Sequence, residues 1–251
     1  MPHSTDLRPI AATVHFLPLR LRVPLKFGKE TVTRATCARV RLRVRDRLGR
    51  EAEGWGETPL SATWVWPSQL TFEHREEALK AFTLQLAAAW ARHDSMGHAL
   101  EVGHAFQEHV LPGLQSTFNA ARGLGSEPML WLAALVCCSA FDLALHDAYG
   151  QVAGLPVYQT YGPEHLNRDL SHFLKPAAGT TVSFAGRYPR DFLTRRPPTR
   201  LPVWHLVGGV DPIEPTELTG QEPKDDYPVL LRDWIRRDGL RCLKIKLRGI
   251  D

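Results

Sequence analysis

The sequence predicts an α+β region followed by the beginning of an α/β region. Three observations carry this. The first 60 residues alternate in polarity and turn back at short polar breaks, as an antiparallel sheet does. Residues 71–150 hold long runs with apolar residues at helical spacing. Residues 201–247 read strand, helix, strand, a unit that requires a parallel pair.

Residues 11–19 alternate loosely and read as a first strand. The stretch LRVPLKFGKETVTRAT, with Pro24 and Gly28, reads as an exposed loop. CARVRLRVRD then alternates strictly, with Val40, Leu42 and Val44 on one face and Arg39, Arg41, Arg43 and Arg45 on the other. That pattern is a half-buried strand. The arginines fit a solvated sheet face better than a binding stripe. RLGR is a turn and EAEGWGE the returning strand.

Thr71 is placed to cap a helix running to Arg92, with Glu73, Glu76 and Glu77 in its first turns, where the helix dipole favours anions. A second helix covers 98–110. Its histidines, His98, His104 and His109, are six and five apart, not the three or four of a helical metal pair. They read as surface residues. The third helix, from Pro128 to Tyr149 and closed by Gly150, is apolar nearly all round until Ser139 and should be buried. Asp142 and His146 lie one turn apart on it and read as a structural pair. Residues 163–200 are polar and rich in Pro and Arg, a linker or insertion. Its cluster of Arg187, Arg190, Arg195, Arg196 and Arg200 reads as a solvated loop. LPVWHLVGG is a short strand, YPVLLRDWIRRDG an amphipathic helix closed by Gly239, and LRCLKIKL a second strand.

Composition narrows the function classes. The chain has 251 residues, 43% hydrophobic and 23% charged, which is ordinary for a globular protein. Its net charge of +4, from 31 basic and 27 acidic residues, is too small to argue for nucleic acid. The longest apolar run, Met129 to Cys138, is half of the ~20 residues a bilayer span needs, so no membrane partner is expected. Four cysteines without a CxxC, two of them vicinal in an apolar run, suggest a reduced, cytoplasmic setting. GxSxG, P-loop, HExxH and GxGxxG motifs do not occur, which leaves an unrelated α/β enzyme without support.

In the last strand Lys244 and Lys246 share one face, with Leu243, Ile245 and Leu247 on the other. The apolar face can pack on helices. The lysine face points into something polar near a strand's C-terminal end, where α/β active sites gather. Two ammonium groups on one face repel, and repulsion with partial burial favours proton loss, as an acid/base residue requires. Taken alone, the pattern also fits a solvated edge strand guarded by lysines.

GWGETPL, AFDLALHDAYGQVAGLPVYQTYG and CLKIKL occur in this order. Together they resemble the enolase superfamily, and within it the muconate-lactonizing enzyme and mandelate racemase-like proteins. CLKIKL is similar to the KxK motif on the second barrel strand of that group. The resemblance implies an N-terminal α+β capping domain, with a three-stranded antiparallel sheet plus helices, over 1–162. It implies a linker or insertion over 163–200, longer than is usual there, and the first two strands of a TIM-type barrel, truncated, over 201–251. It implies removal of an α-proton from a small-molecule carboxylate substrate, as in a racemase, epimerase, cycloisomerase or dehydratase. Lys246 would be the acid/base and Lys244 would tune it and face the substrate carboxylate. The loop Lys26–Thr33 and the segment after Glu57 would close over the site, with Phe27 and Trp64 as substrate-contacting residues.

The resemblance further implies Mg2+ in an intact member, held by three carboxylates on the third to fifth barrel strands. Asp251 falls too early to be the first of them. The expectation is therefore the N-terminal portion of such an enzyme, inactive and without a metal ligand set as this chain alone, and compatible with a homo-oligomer. The alternative is a non-catalytic binding or assembly module derived from the capping domain.

Overall fold

A computed structural model of the chain describes residues 2–27, 30–122, 127–194 and 196–247, without the side chain of Phe27. Gly28, Arg195 and Asp251, named above, lie outside the described residues. The chain divides into two compact units, residues 1–17 with 36–195 and residues 18–35 with 196–251.

The first unit is a sheet covered by helices. Strands β1 (Leu7–Phe27), β2 (Glu30–Asp46) and β3 (Glu51–Pro59) are ordered β1–β2–β3. β2 and β3 pair antiparallel with Arg39 opposite Glu57, Arg43 opposite Glu53 and Arg45 opposite Glu51. Val40, Leu42 and Val44 are fully buried, as the alternation requires. The arginine face is solvated and charge-paired, with Arg39 on Glu57 at 2.6 Å, Arg41 on Glu53 at 3.7 Å and Arg45 on Glu51 at 2.6 Å. Cross-strand pairs of this kind contribute a few tenths of a kcal/mol to about 1 kcal/mol each. They also occupy the charge that a binding stripe would need.

The stretch expected as a loop between residues 21 and 36 is instead strand up to Phe27 and again from Glu30. No described residue of 18–35 is buried. Without a buried face, no apolar alternation marks these residues as strand.

Helices α1 (Ala62–Val65), α2 (Phe72–Trp90), α3 (Ala99–His109), α4 (Leu111–Ala121) and α5 (Trp131–Ala153) follow. Thr71 caps α2 by accepting from the His74 amide at 3.3 Å. α5 runs past the expected stop at Gly150 and ends at Gly154, whose φ of 65° is the left-handed form a C-terminal cap adopts. By length and apolarity α5 could cross a bilayer, but it is the core helix of this unit, with half of its most apolar stretch buried. It lies along β3 so closely that a Cβ on Gly54 would stand 2.1 Å from the Ala144 carbonyl, and one on Gly56 2.1 Å from that of Ala140. The Trp55 amide donates to Asp147 at 2.8 Å, and the hydroxyls of Thr58 and Ser139 meet at 2.7 Å. GWGET and AFDLALHDA are thus the two halves of one strand–helix contact. Glycines on the strand and alanines on the helix let the backbones approach.

The core holds Phe82, Trp90, Phe106 and Phe141, all fully buried, with Trp90 stacked on Phe106 at a centroid distance of 4.0 Å. Each such side chain contributes about 1.5–3 kcal/mol by leaving water. Cys137 and Cys138 are buried in it, and burial pushes both thiols up to about 12, so neither is a nucleophile. The stretch after 163 begins anchored to this unit: Glu101 accepts from the Arg168 amide at 2.8 Å and from Asn167 at 2.9 Å. Leu166 and Leu170 are buried.

In the second unit, β4 (Trp204–Val207) pairs in parallel with β5 (Cys242–Ile245), and α6 (Leu231–Asp238) lies between them in sequence. Gly239 closes α6 at φ 62°. The strand–helix–strand reading and its parallel pair are therefore present.

Candidate functional site

Parallel register places Leu206 beside Lys244 and Val207 beside Ile245. Residues alternate across a strand, so Lys244 and Lys246 share a face with Trp204 and Leu206. α6 serves the other face, where the rings of His205 and Trp234 lie 5.3 Å apart. Lys244 is exposed and Lys246 half-buried. Lys246 continues the ladder past β5: its amide donates to the Val207 carbonyl at 2.9 Å.

Two residues further along β4's exit, the Gly209 amide donates to the Lys26 carbonyl at 2.9 Å. The exit of β4 thus meets both Lys246 and the end of β1, next to Phe27. The turn after β4 is held by Asp211, which accepts from the Gly208 amide at 2.7 Å. Trp64 is exposed on α1, in the first unit.

Among the described residues, no three or more His, Cys, Asp and Glu side chains gather as a metal site would require. The described residues beside the lysines hold no carboxylate set that fits a magnesium ion.

A second polar cluster lies in the first unit, and sequence reasoning misjudged it. His98, expected at the surface, is fully buried. It is the N-cap of α3. Its Nδ1 accepts from the Leu100 amide at 3.0 Å, and its own amide donates to Glu101 at 3.0 Å. Because Nδ1 accepts, the ring proton sits on Nε2 and is donated to the Thr160 hydroxyl at 3.0 Å. Thr160 donates onward to the Val157 carbonyl at 2.6 Å. Burial, with His146 nearby, lowers His98 to about 3, so the ring is neutral at physiological pH. The signal in the sequence was H-x-x-E ahead of an apolar run, read as histidine spacing rather than as a capping box. His104 is half-buried beside Phe173, and His109 is exposed.

The Asp142–His146 pair is present but loose, with 4.0 Å between Nε2 and Oδ2. Burial raises the Asp142 carboxyl and lowers the His146 imidazole. A neutral His146 accepts the Tyr161 hydroxyl at Nδ1, at 2.9 Å. Burial pushes that phenol up to about 12. Tyr161 and His146 satisfy one another, while the Asp142 carboxylate, a third exposed, lies beyond hydrogen-bond distance of His146.

No family model matches the chain, and no curated protein matches it. The solved structures it resembles are enolase-superfamily proteins. One is the L-Ala-D/L-Glu epimerase from Bacillus subtilis, at 20% identity over 62% of this chain and 34% of that one, with a TM-score of 0.31. Another is a mandelate racemase/muconate lactonizing enzyme-like protein from Rubrobacter xylanophilus, at 18% identity over 61% and 33%, TM-score 0.32. A third is the dipeptide epimerase from Methylococcus capsulatus, complexed with Mg and the dipeptide L-Arg-D-Lys, at 19% identity over 97% and 47%, TM-score 0.45. The chain spans about a third of the first two and under half of the third.

Proposed function

We propose that the chain is the N-terminal portion of an enolase-superfamily enzyme that removes and returns the α-proton of a carboxylate substrate. The observation that carries the reading is the placement of Lys244 and Lys246 on one face of a parallel strand whose other face serves a helix. In this reading residues 1–162 are the capping domain, residues 163–200 a linker, and residues 201–251 begin a TIM-type barrel. Lys246, at the exit of β5, moves the proton at its Nζ. Lys244 beside it adds positive charge that attracts the substrate carboxylate. Phe27, at the end of β1, and Trp64 contact the substrate. In intact members Mg2+ would stabilise the enediolate. Its ligands are assigned to residues other than these 251, which makes the chain inactive alone.

The test is hydrogen–deuterium exchange at Cα, followed by NMR in D2O, on a panel of 2-hydroxy acids, sugar acids and dipeptides. The protein is taken from its own cells at its native mass. Lys246→Ala should lower exchange by ~10²–10⁴-fold, the usual contribution of a general base. Undiminished exchange in that variant defeats the reading. A magnesium-dependent thermal shift of the 251-residue chain by itself defeats the placing of the metal ligands elsewhere.

One observation favours a second reading, a non-catalytic module. The first unit closes its own core, while both lysines lie in the second. Under that reading the native-mass protein exchanges no α-proton from any substrate, and a partner protein co-purifies with it.

A further inference from the structure

Residues 21–25 of β1 line a cavity of about 720 Å3 in the second unit together with Leu206, Val207 and Trp234. Burial does not fix these residues, since no described residue of 18–35 is buried. Arg22 ties them to residues 225–228. The Arg22 Nε and Nη2 donate to the two carboxylate oxygens of Asp225 at 2.6 and 2.7 Å. Nη2 also donates to the Tyr227 carbonyl at 2.7 Å, and Nη1 to the Pro228 carbonyl at 3.1 Å. The guanidinium carbon lies 5.8 Å from the centre of the Tyr227 ring. One side chain therefore grips a single four-residue segment through four hydrogen bonds. Both partners stay partly exposed, at 29% and 41% of their side-chain surface.

A fork–fork ion pair is directional and strong for its size, yet salt can reach it. Apolar packing has neither property. We propose that Arg22 and Asp225 form a latch: closed, it holds residues 21–25 as a wall of the cavity, and open, it admits small molecules to Val207 on the cavity floor. The latch does not depend on the reaction proposed for the lysines. The Gly209–Lys26 hydrogen bond is a second tie on the same strand and reports whether it has lifted.

The test is maleimide labelling of Val207→Cys, with Cys242→Ser removing the half-buried native thiol of this unit. Arg22→Ala and Asp225→Asn should each speed labelling by about tenfold, in keeping with loss of a bidentate pair and its added hydrogen bonds. The swapped Arg22→Asp/Asp225→Arg protein should label slowly again, and high salt should speed labelling only where the pair is intact. Amide exchange provides the second readout. Gly209 should exchange faster in the single variants, with α6 and β5 unchanged. Labelling that is unaltered in both single variants overturns the latch. So does equal acceleration across Gly209, α6 and β5, because the pair would then hold the whole unit together rather than one wall of it.

Discussion

The two units use polar and apolar residues in opposite ways. In the first, a continuous core runs from Leu7 to Val152, and the buried side chains of His98 and Thr160 are hydrogen-bonded to each other. In the second, only Val207, Gly208 and Leu230 are buried among the described residues, and the contacts with defined geometry are polar ones, Arg22 on Asp225 foremost. The motifs GWGET and AFDLALHDA sit in the first unit as packing residues. Lys244 and Lys246 sit in the second, where packing is sparse.

The comparison can be broken most sharply at Gly56. Gly56→Ala places a methyl group 2.1 Å from the Ala140 carbonyl and 2.6 Å from the Ala144 amide, and neither backbone atom can move without the helix. The expected cost exceeds ~5 kcal/mol, enough to leave the first unit largely unfolded by circular dichroism. Phe82→Ala comes next, with a loss of ~3–5 kcal/mol in denaturant unfolding, because a fully buried ring leaves a cavity. If either change is neutral, the first unit is not the tightly packed one.

Acid is the third probe. His98 is held near 3 when folded against an ordinary 6.5. The unfolded chain therefore binds a proton that the folded chain refuses. The stabilisation is complete above about pH 6.5 and falls by ~1.4 kcal/mol per pH unit between there and about pH 3. His98→Asn keeps a capping side chain and should flatten that slope in pH-dependent unfolding of the first unit. A slope unchanged by this variant would assign the acid sensitivity to other groups. The smallest effects belong to the second unit. Ile245→Ala and Leu247→Ala, at positions about two-thirds exposed, should each change stability by less than ~0.5 kcal/mol. Native-state amide exchange should find β4 and β5 opening well before α5. Protection of β5 equal to that of α5 would erase the contrast.

Much of this was legible in the residues. Val40, Leu42 and Val44 announced a half-buried strand because a sheet with one solvated face forces period two. Thr71 announced a helix start and Gly239 a helix end. The order strand, helix, strand announced the parallel pair. The continuation of β1 and β2 through residues 21–36 was not legible, since strands without a buried face leave no periodic trace. The end of α5 was misplaced for a different reason. Gly150 lies inside the helix, and a Cβ there would stand 3.0 Å from the Leu155 carbonyl, so this glycine serves packing rather than helix termination. α4 was missed altogether.

At the candidate site, the sequence determined that Lys244 and Lys246 share a face, because side chains on a strand alternate with period two. Tertiary structure decided what stands next to them. It set the end of β1 and the amide of Lys246 at β4's exit, and placed Trp64 in the other unit. It also turned His98 from an apparent surface histidine into a buried cap and joined Arg22 to Asp225, 203 residues away in the chain. Local patterns are imposed by backbone geometry within a few residues and can be read from their order. Long-range partnerships depend on which surfaces fit once those elements fold, and spacing along the chain does not encode that fit.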